Sequence, residues 1–249
     1  MAALGPETLT RIFGLRVTNT LVATLLVDAI LLLLVFVIRR RLSLVPGMLQ
    51  GAAEAVHDWI STTTAQVAGA RMPMIFPWVA VFFVYILVSN LVGLLPGVGT
   101  IGFTVRAENG AREFVPLLRA STSDLNTTLA LAIVSLVATH ALAIRSTGFV
   151  AWLRHFISFK LFGVMLFVGI LEIIAEITKL FSLSLRLFGN VFAGEMVLGT
   201  MNSLFKWILP VPFLALETLV AVVQAMIFSM LTMAFMAVLT EPHQNGGSH

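Results

Sequence analysis

The chain has 249 residues, of which 59% are hydrophobic and only 11% are charged. A soluble domain of this length needs more charge on its surface, so the composition indicates a polytopic membrane protein. The net charge of +3 comes from scattered arginines rather than from a basic block, which argues against nucleic-acid binding. The absence of cysteine excludes disulfides, thiol catalysis and cysteine-ligated metals.

The N-terminal third predicts one membrane span followed by an interfacial helix. Residues 1–19 are mixed in character and carry charges, so no cleavable signal peptide is expected. The apolar run 20–38 is long enough to cross a hydrocarbon core of ~30 Å, and it stops at the arginine cluster Arg39–Arg41. Residues 42–72 are only moderately apolar, and we expect them to lie at the interface or against partner chains.

Two further spans are predicted in the middle of the chain. The second span, 76–95, is opened by two prolines, and a polar loop follows it. The third span is predicted over 124–144. Ser123 and Asp124 precede it and are good candidates for its N-cap.

The last part of the chain predicts two unusually long helices. Residues 156–204 and 207–240 are mostly apolar, and each run exceeds the ~20 residues of an upright span. Such lengths indicate a hairpin of strongly tilted helices, or segments bent along the membrane plane. The sequence therefore predicts one all-α polytopic membrane domain over 1–249, with about five membrane helices and one interfacial helix.

The distribution of basic residues predicts the orientation. The arginine cluster Arg39–Arg41 and the 145–160 turn hold six Lys or Arg and no acid, which places both in the cytoplasm. The 97–123 loop then lies outside, with the N-terminus outside and the C-terminus cytoplasmic. The lack of a transit peptide favours a bacterial plasma membrane, although an organelle-encoded chain would look the same.

Arg186 is a single charge within an apolar run. The sequence around it, residues 182–195, reads SLSLRLFGNVFAGE, and no acid lies within eight positions on either side of the arginine. A charge at the bilayer centre costs roughly 2.5–3.5 kcal/mol on insertion scales. We therefore expect Arg186 to have a function, either with a partner on another helix or with a charge that comes and goes.

Arg186 belongs to a polar stripe along the first long helix. At ~100° per residue, its members fall within an arc of about 80° and extend over nearly a bilayer thickness. They are Glu172, Glu176, Lys179, Arg186 and Asn190. Such a stripe must face protein or water, and its length suits an ion path. The alternative is a structural salt network, because Glu172 or Glu176 with Lys179 has the spacing of an ordinary internal pair.

Carboxyl groups also occur beyond this stripe. Glu217 and Gln224 are seven residues apart on the last helix and therefore share a face, whereas Glu195 lies on a different face from Arg186. Carboxyl groups inside a membrane suit proton transfer. The alternative is that each is protonated and hydrogen-bonded to a neighbouring helix. Asp28 and His140 are expected to make local structural contacts.

Several segments together resemble subunit a of F-type ATP synthases. The two signature helices are matched by SLSLRLFGNVFAGE and by QAMIFSMLTMAFM, residues 224–236. FVYILVSNLVGLLPG, residues 83–97, and SDLNTT, residues 123–128, match as well. The resemblance covers most of residues 40–241, and its Arg-Leu-Phe-Gly-Asn core is highly specific.

This resemblance implies a stator in the motor of an ATP synthase, with two offset aqueous half-channels beside a rotating ring. Arg186 matches the essential arginine of the family. Asn190, Glu195 and Gln224 match polar positions next to it, and Glu172 matches an acid near the other half-channel. Glu217 departs from the pattern, because some bacterial members have histidine there.

The resemblance also implies the partners. They are the c-ring subunits, the peripheral-stalk b subunits, the rest of the ATP synthase and the lipid bilayer. No cofactor or metal is expected, and no catalysis by this chain alone, because it has no nucleotide-binding loop. Without these motifs, a secondary transporter with midplane charges would be the alternative, although no internal inverted repeat is seen.

Overall fold

The structure of the protein is a computed structural model, which describes residues 8–12, 15–95, 98, 101–106, 112–156, 164–204 and 210–241. The helices within these ranges are α1 Asn19–Arg40, α2 Met48–Ala68, α3 Met72–Gly93, α4 Leu125–Thr147, α5 Phe149–Phe156, α6 Val164–Leu204 and α7 Pro210–Leu239. Two short antiparallel hairpins accompany them. They pair Thr8–Ile12 with Leu15–Thr18, and Gly102–Arg106 with Arg112–Pro116.

Within the described ranges, four helical stretches are long and apolar enough to cross a membrane. They are Asn19–Arg40, Met48–Gly93, Leu125–Thr147 and Pro210–Leu239. The all-α polytopic class predicted from composition is therefore confirmed. α6 adds an uninterrupted helix of 41 residues, which at 1.5 Å per residue is about 61 Å long.

The helix ends follow local capping chemistry. Asp124 is the N-cap of α4, and its Oδ1 accepts a hydrogen bond of 3.0 Å from the backbone N of Asn126. The predicted cap is therefore confirmed. α1 ends with Arg39 and Arg40 in its last turn, where positive charge interacts favourably with the helix dipole. α4 is followed by Gly148 at φ +87°, a conformation that glycine adopts without strain.

Several predicted boundaries differ from those observed. α3 already starts at Met72, and Pro77 lies inside this helix instead of opening it. Residue 156 closes α5 rather than starting the first long helix, and residues 157–163 lie outside the described part of the chain. Residues 205–209, between α6 and α7, lie outside it as well. The loop predicted over 97–123 contains the second pair of strands, Gly102–Arg106 and Arg112–Pro116, which the sequence did not predict.

The core lies where α3, α4, α6 and α7 meet. The rings of Phe82 on α3 and Phe228 on α7 have their centroids 5.6 Å apart. Hydroxyl pairs join the other helices, as between Ser135 Oγ on α4 and Thr232 Oγ1 on α7 at 2.8 Å. Small polar residues of this kind let helices approach closely inside a membrane. α2 packs on α3 and α7, at the edge of this bundle.

Candidate functional site

Arg186 is a half-exposed cation on α6 without an acidic partner among the described residues. Its Nη2 donates a hydrogen bond of 3.2 Å to Ser182 Oγ, one turn earlier on the same helix. The neighbouring Leu187 is only 1% exposed and packs into the core, so Arg186 lies at the edge of the buried face. Asn190 follows one turn later and is also half-buried. The described part of the chain thus leaves the charge of Arg186 uncompensated.

The other end of the polar stripe is ion-paired. Glu176 is 7% exposed, and Lys179 Nζ donates to its Oε1 at 2.7 Å. His140 on α4 places its Nε2 3.7 Å from Glu176 Oε2, and Trp152 Nε1 donates to the other ring nitrogen of His140 at 3.2 Å. The internal pair considered from the sequence is present, and so is a local contact of His140. Glu172 is half-buried one turn before Glu176.

Glu195 is paired with a residue that the sequence did not indicate. Arg119 places its Nε 3.2 Å from Glu195 Oε1 and 3.3 Å from Oε2. The Arg119 side chain is 6% exposed and that of Glu195 is 34% exposed. This pair connects the segment before α4 to the second half of α6.

Glu217 on α7 lies against the backbone of α6 at Gly194. A Cβ built on Gly194 would overlap the Glu217 carboxyl group, so only glycine leaves room for it there. No described basic side chain lies within ion-pair distance of Glu217. Two turns later on α7, Gln224 is 8% exposed. In the described ranges, no hydrogen bond joins Gln224 to Arg186.

Residues 119–124, here called the pre-α4 segment, make side-chain contacts with α1, α3 and α6. Its Thr122 Oγ1 donates to Asn90 Oδ1 on α3 at 2.7 Å. Asn90 Nδ2 in turn donates to the carbonyl of Ala221 on α7 at 3.4 Å. Thr20 Oγ1 on α1 donates to Asp124 Oδ2 at 3.0 Å. With Arg119 reaching α6, this segment positions polar groups at one end of the bundle.

The structure places five of the seven predicted residues in three groups, which leave out Glu172 and Gln224. Glu217 lies against Gly194, the residue before Glu195 on α6. Arg186 and Asn190 lie one turn apart, and Glu176 is bound to Lys179 and His140. Arg119 belongs to the polar loop predicted before the third span, and it is not among the predicted site residues. Its position five residues before the helix cap was visible, but 76 residues separate it from Glu195, so no helical spacing could connect the two.

Comparison with known proteins identifies similar chains. The family model described as ATP synthase A chain matches residues 21–237. The "ATP synthase subunit a 3" of Pelobacter propionicus is 35% identical over 214 residues, which cover 85% of this chain and 83% of the relative. The "ATP synthase subunit a" of Trichlorobacter lovleyi is 34% identical over 219 residues, covering 87% and 85% of the two chains.

A third relative carries an ion in its name. The "ATP synthase subunit a, sodium ion specific" of Propionigenium modestum is 30% identical over 225 residues. The alignment covers 90% of this chain and 74% of that relative.

Proposed function

The chain belongs to the ATP synthase subunit a family, an ion-translocating, multi-pass membrane component of that complex, and on this premise we propose that it is the proton-conducting stator. The observation that carries the proposal is the guanidinium of Arg186 on a largely apolar helix, with no acidic partner among the described residues. An unpaired charge within a membrane-spanning helix is costly and marks a function. We infer that the function of Arg186 is to meet a negative charge that a partner chain brings to it.

The proposed step is the release of a proton from a carboxyl group on each subunit of a c-ring into one of two aqueous half-channels. This group crosses the lipid protonated and neutral, because a low dielectric disfavours its charged form. Beside Arg186 the carboxylate is favoured instead. At ~4 Å and an effective dielectric of ~20, the attraction is about 4 kcal/mol. Arginine suits this task because its guanidinium stays charged even when partly desolvated.

The remaining polar residues form two half-channels offset across the membrane. Glu195 and Glu217 relay protons on one side, where the structure brings both to the same part of α6. Glu172 and Glu176 keep the other side hydrated. Arg186 separates the two half-channels, because its positive charge repels a proton that would pass directly between them. Asn190 and Gln224 then supply polar groups near the arginine.

The partners and the location follow from the same proposal. A c-ring turns against α6, b subunits of the peripheral stalk hold the chain in place, and ATP chemistry occurs on other subunits. The membrane is a bacterial plasma membrane, with the N-terminus outside and the C-terminus in the cytoplasm. The transported ion in this proposal is H⁺, and Na⁺ is the alternative, because one relative is named sodium ion specific.

The decisive experiment is ATP-driven acidification of inverted membrane vesicles that carry the whole complex, with and without Na⁺. We expect Arg186→Ala to abolish acidification while the complex still assembles, because the rotor carboxylate loses its counter-charge. Arg145→Ala is the matched control, since Arg145 is an exposed cation at the end of α4 with no ion pair in the described ranges. This control should acidify like the wild type.

Unchanged acidification in Arg186→Ala would refute the stator mechanism and favour the transporter alternative. A pumping signal that requires Na⁺, or Na⁺ uptake in place of acidification, would show that the transported ion is not H⁺.

A further inference from the structure

We propose that Arg119 is a positioning residue for proton entry, which holds the Glu195 carboxylate and balances its charge so that Glu217 carries the proton. This inference rests on the proposed function and narrows it: of the two acids proposed there to relay protons, Glu195 stays an ion-paired carboxylate and Glu217 takes up and releases the proton. It assigns a role to a residue outside the signature helices, in the segment before α4.

The contact between Arg119 and Glu195 is close, and its arginine is buried whereas its glutamate is partly exposed. The Nε atom lies 3.2 Å and 3.3 Å from the two carboxylate oxygens. It also lies 3.2 Å from Ser123 Oγ, and this hydroxyl donates to the carbonyl of Ala120 at 2.8 Å. The guanidinium is therefore oriented by its own segment while it faces Glu195. A charge-assisted hydrogen bond in such surroundings is stronger than one between neutral groups.

The segment that carries Arg119 is itself held in place. Gly93 on α3 approaches Ala120 so closely that a Cβ on the glycine would overlap the alanine Cβ. Thr122 and Asp124 bind α3 and α1 through the hydrogen bonds described above. Because three neighbouring residues are fixed, Arg119 has little freedom to follow a moving charge. A guanidinium held in this way is suited to staying paired with one carboxylate, here that of Glu195.

Glu217 has the opposite environment. Its carboxyl group rests on Gly194, the residue next to Glu195, and no described basic side chain pairs with it. A carboxyl group that alternates between charged and neutral forms needs surroundings that bind neither form permanently. The two acids thus occupy adjoining positions with different roles, one fixed by Arg119 and the other able to exchange a proton.

The first test compares Arg119→Lys with Arg119→Met in the whole complex, and pumping is measured per assembled complex. Lysine keeps the charge, and methionine keeps much of the apolar stem without it. We expect Arg119→Lys to retain most of the activity and Arg119→Met to lose about tenfold. Equal or better pumping by Arg119→Met would overturn the proposal, because packing would then account for the residue.

The second test asks whether the effect passes through Glu195. In an active Glu195→Gln background, adding Arg119→Met should change pumping by less than about twofold, because the pair is already broken. Arg71→Met is the matched control: Arg71 Nη1 donates at 2.6 Å to the carbonyl of Ala237 on α7, so its loss should act independently of Glu195. If Glu195→Gln alone abolishes pumping, the comparison of Arg119→Lys with Arg119→Met decides whether the proposal holds.

The outcomes separate this proposal from the proposed function. Suppose that Arg186→Ala stops pumping, but that adding Arg119→Met to Glu195→Gln lowers pumping as much as Arg119→Met does alone. The stator mechanism then stands and the positioning role fails. If Arg119→Met prevents assembly of the complex and adding Glu195→Gln to it does not restore assembly, the positioning role is overturned as well. If Arg186→Ala pumps normally, the proposed function itself fails.

Discussion

Gly194 and Glu217 illustrate how a single small residue shapes the site. The carboxyl group of Glu217 occupies the space where any other residue at 194 would place its Cβ. Overpacking of such a position costs about 1–3 kcal/mol, which the molecule relieves by moving the carboxyl group. The glycine therefore determines where the proposed proton carrier lies along α6.

We predict that Gly194→Ala lowers ATP-driven pumping severalfold, because the methyl group displaces the Glu217 carboxyl. Gly199→Ala is the matched control on the same helix, since a Cβ there meets no atom within 4 Å in the described structure and Gly199 faces away from Arg186. Adding Glu217→Asp should restore part of the activity, because its shorter side chain withdraws the carboxyl group. Equal effects of Gly194→Ala and Gly199→Ala would contradict the prediction.

A second prediction at this scale concerns the kind of charge at Arg186. Arg186→Lys should impair pumping, because an ammonium group deprotonates more readily in a desolvated site and lacks the planar donor set of the guanidinium. The measurement is acidification by inverted vesicles with equal amounts of assembled complex. Full coupled transport by Arg186→Lys would count heavily against the electrostatic mechanism.

At the scale of the elements, Asp124 joins two helices. One carboxylate oxygen caps α4 and the other accepts the hydroxyl of Thr20 on α1. Loss of an N-cap alone costs about 1 kcal/mol. We expect Asp124→Ala to lower the temperature at which the purified complex loses this subunit. Asp124→Asn should have a smaller effect, because its amide oxygen still caps the helix. Equal losses would show that the cap does not matter.

The ion pair of α6 gives a further prediction. Glu176 is nearly buried, so Lys179→Met leaves a carboxylate whose main partner is gone, a change that is strongly destabilising inside proteins. Assembly of this variant should fall, and adding Glu176→Gln should restore it. Pumping should stay below that of the wild type in the double variant, because Glu176 is proposed to hydrate a half-channel. Full recovery of pumping would limit Glu176 to a structural role.

For the whole molecule, the proposed orientation can be tested directly because the chain has no cysteine of its own. Ser43 and Thr104 are exposed, one beside the arginine cluster and the other in the second hairpin. A membrane-impermeant maleimide should label Thr104→Cys in intact spheroplasts and Ser43→Cys in inverted vesicles. The reverse pattern would overturn the orientation.

The sequence predicted contacts between residues that are close along the chain, and it missed contacts between residues that are far apart in the sequence. The cap at Asp124 and the pairing of Lys179 with Glu176 follow from spacing within one helix or turn. The contact of Arg119 with Glu195, and that of Glu217 with Gly194, require knowledge of how helices pack. Apolar periodicity cannot supply this, because these helices are apolar on nearly every face.

The hydroxyl pairs inside the bundle have a mechanical consequence. In the proposed mechanism, a ring that turns against α6 exerts a sideways force on it, and a single helix would yield to that force. Thr128 on α4 lies 3.2 Å from Ser184 on α6, between their hydroxyl oxygens, while Ser135 on α4 bonds Thr232 on α7. α4 therefore acts as a brace between the two long helices, and torque on one is shared by all three.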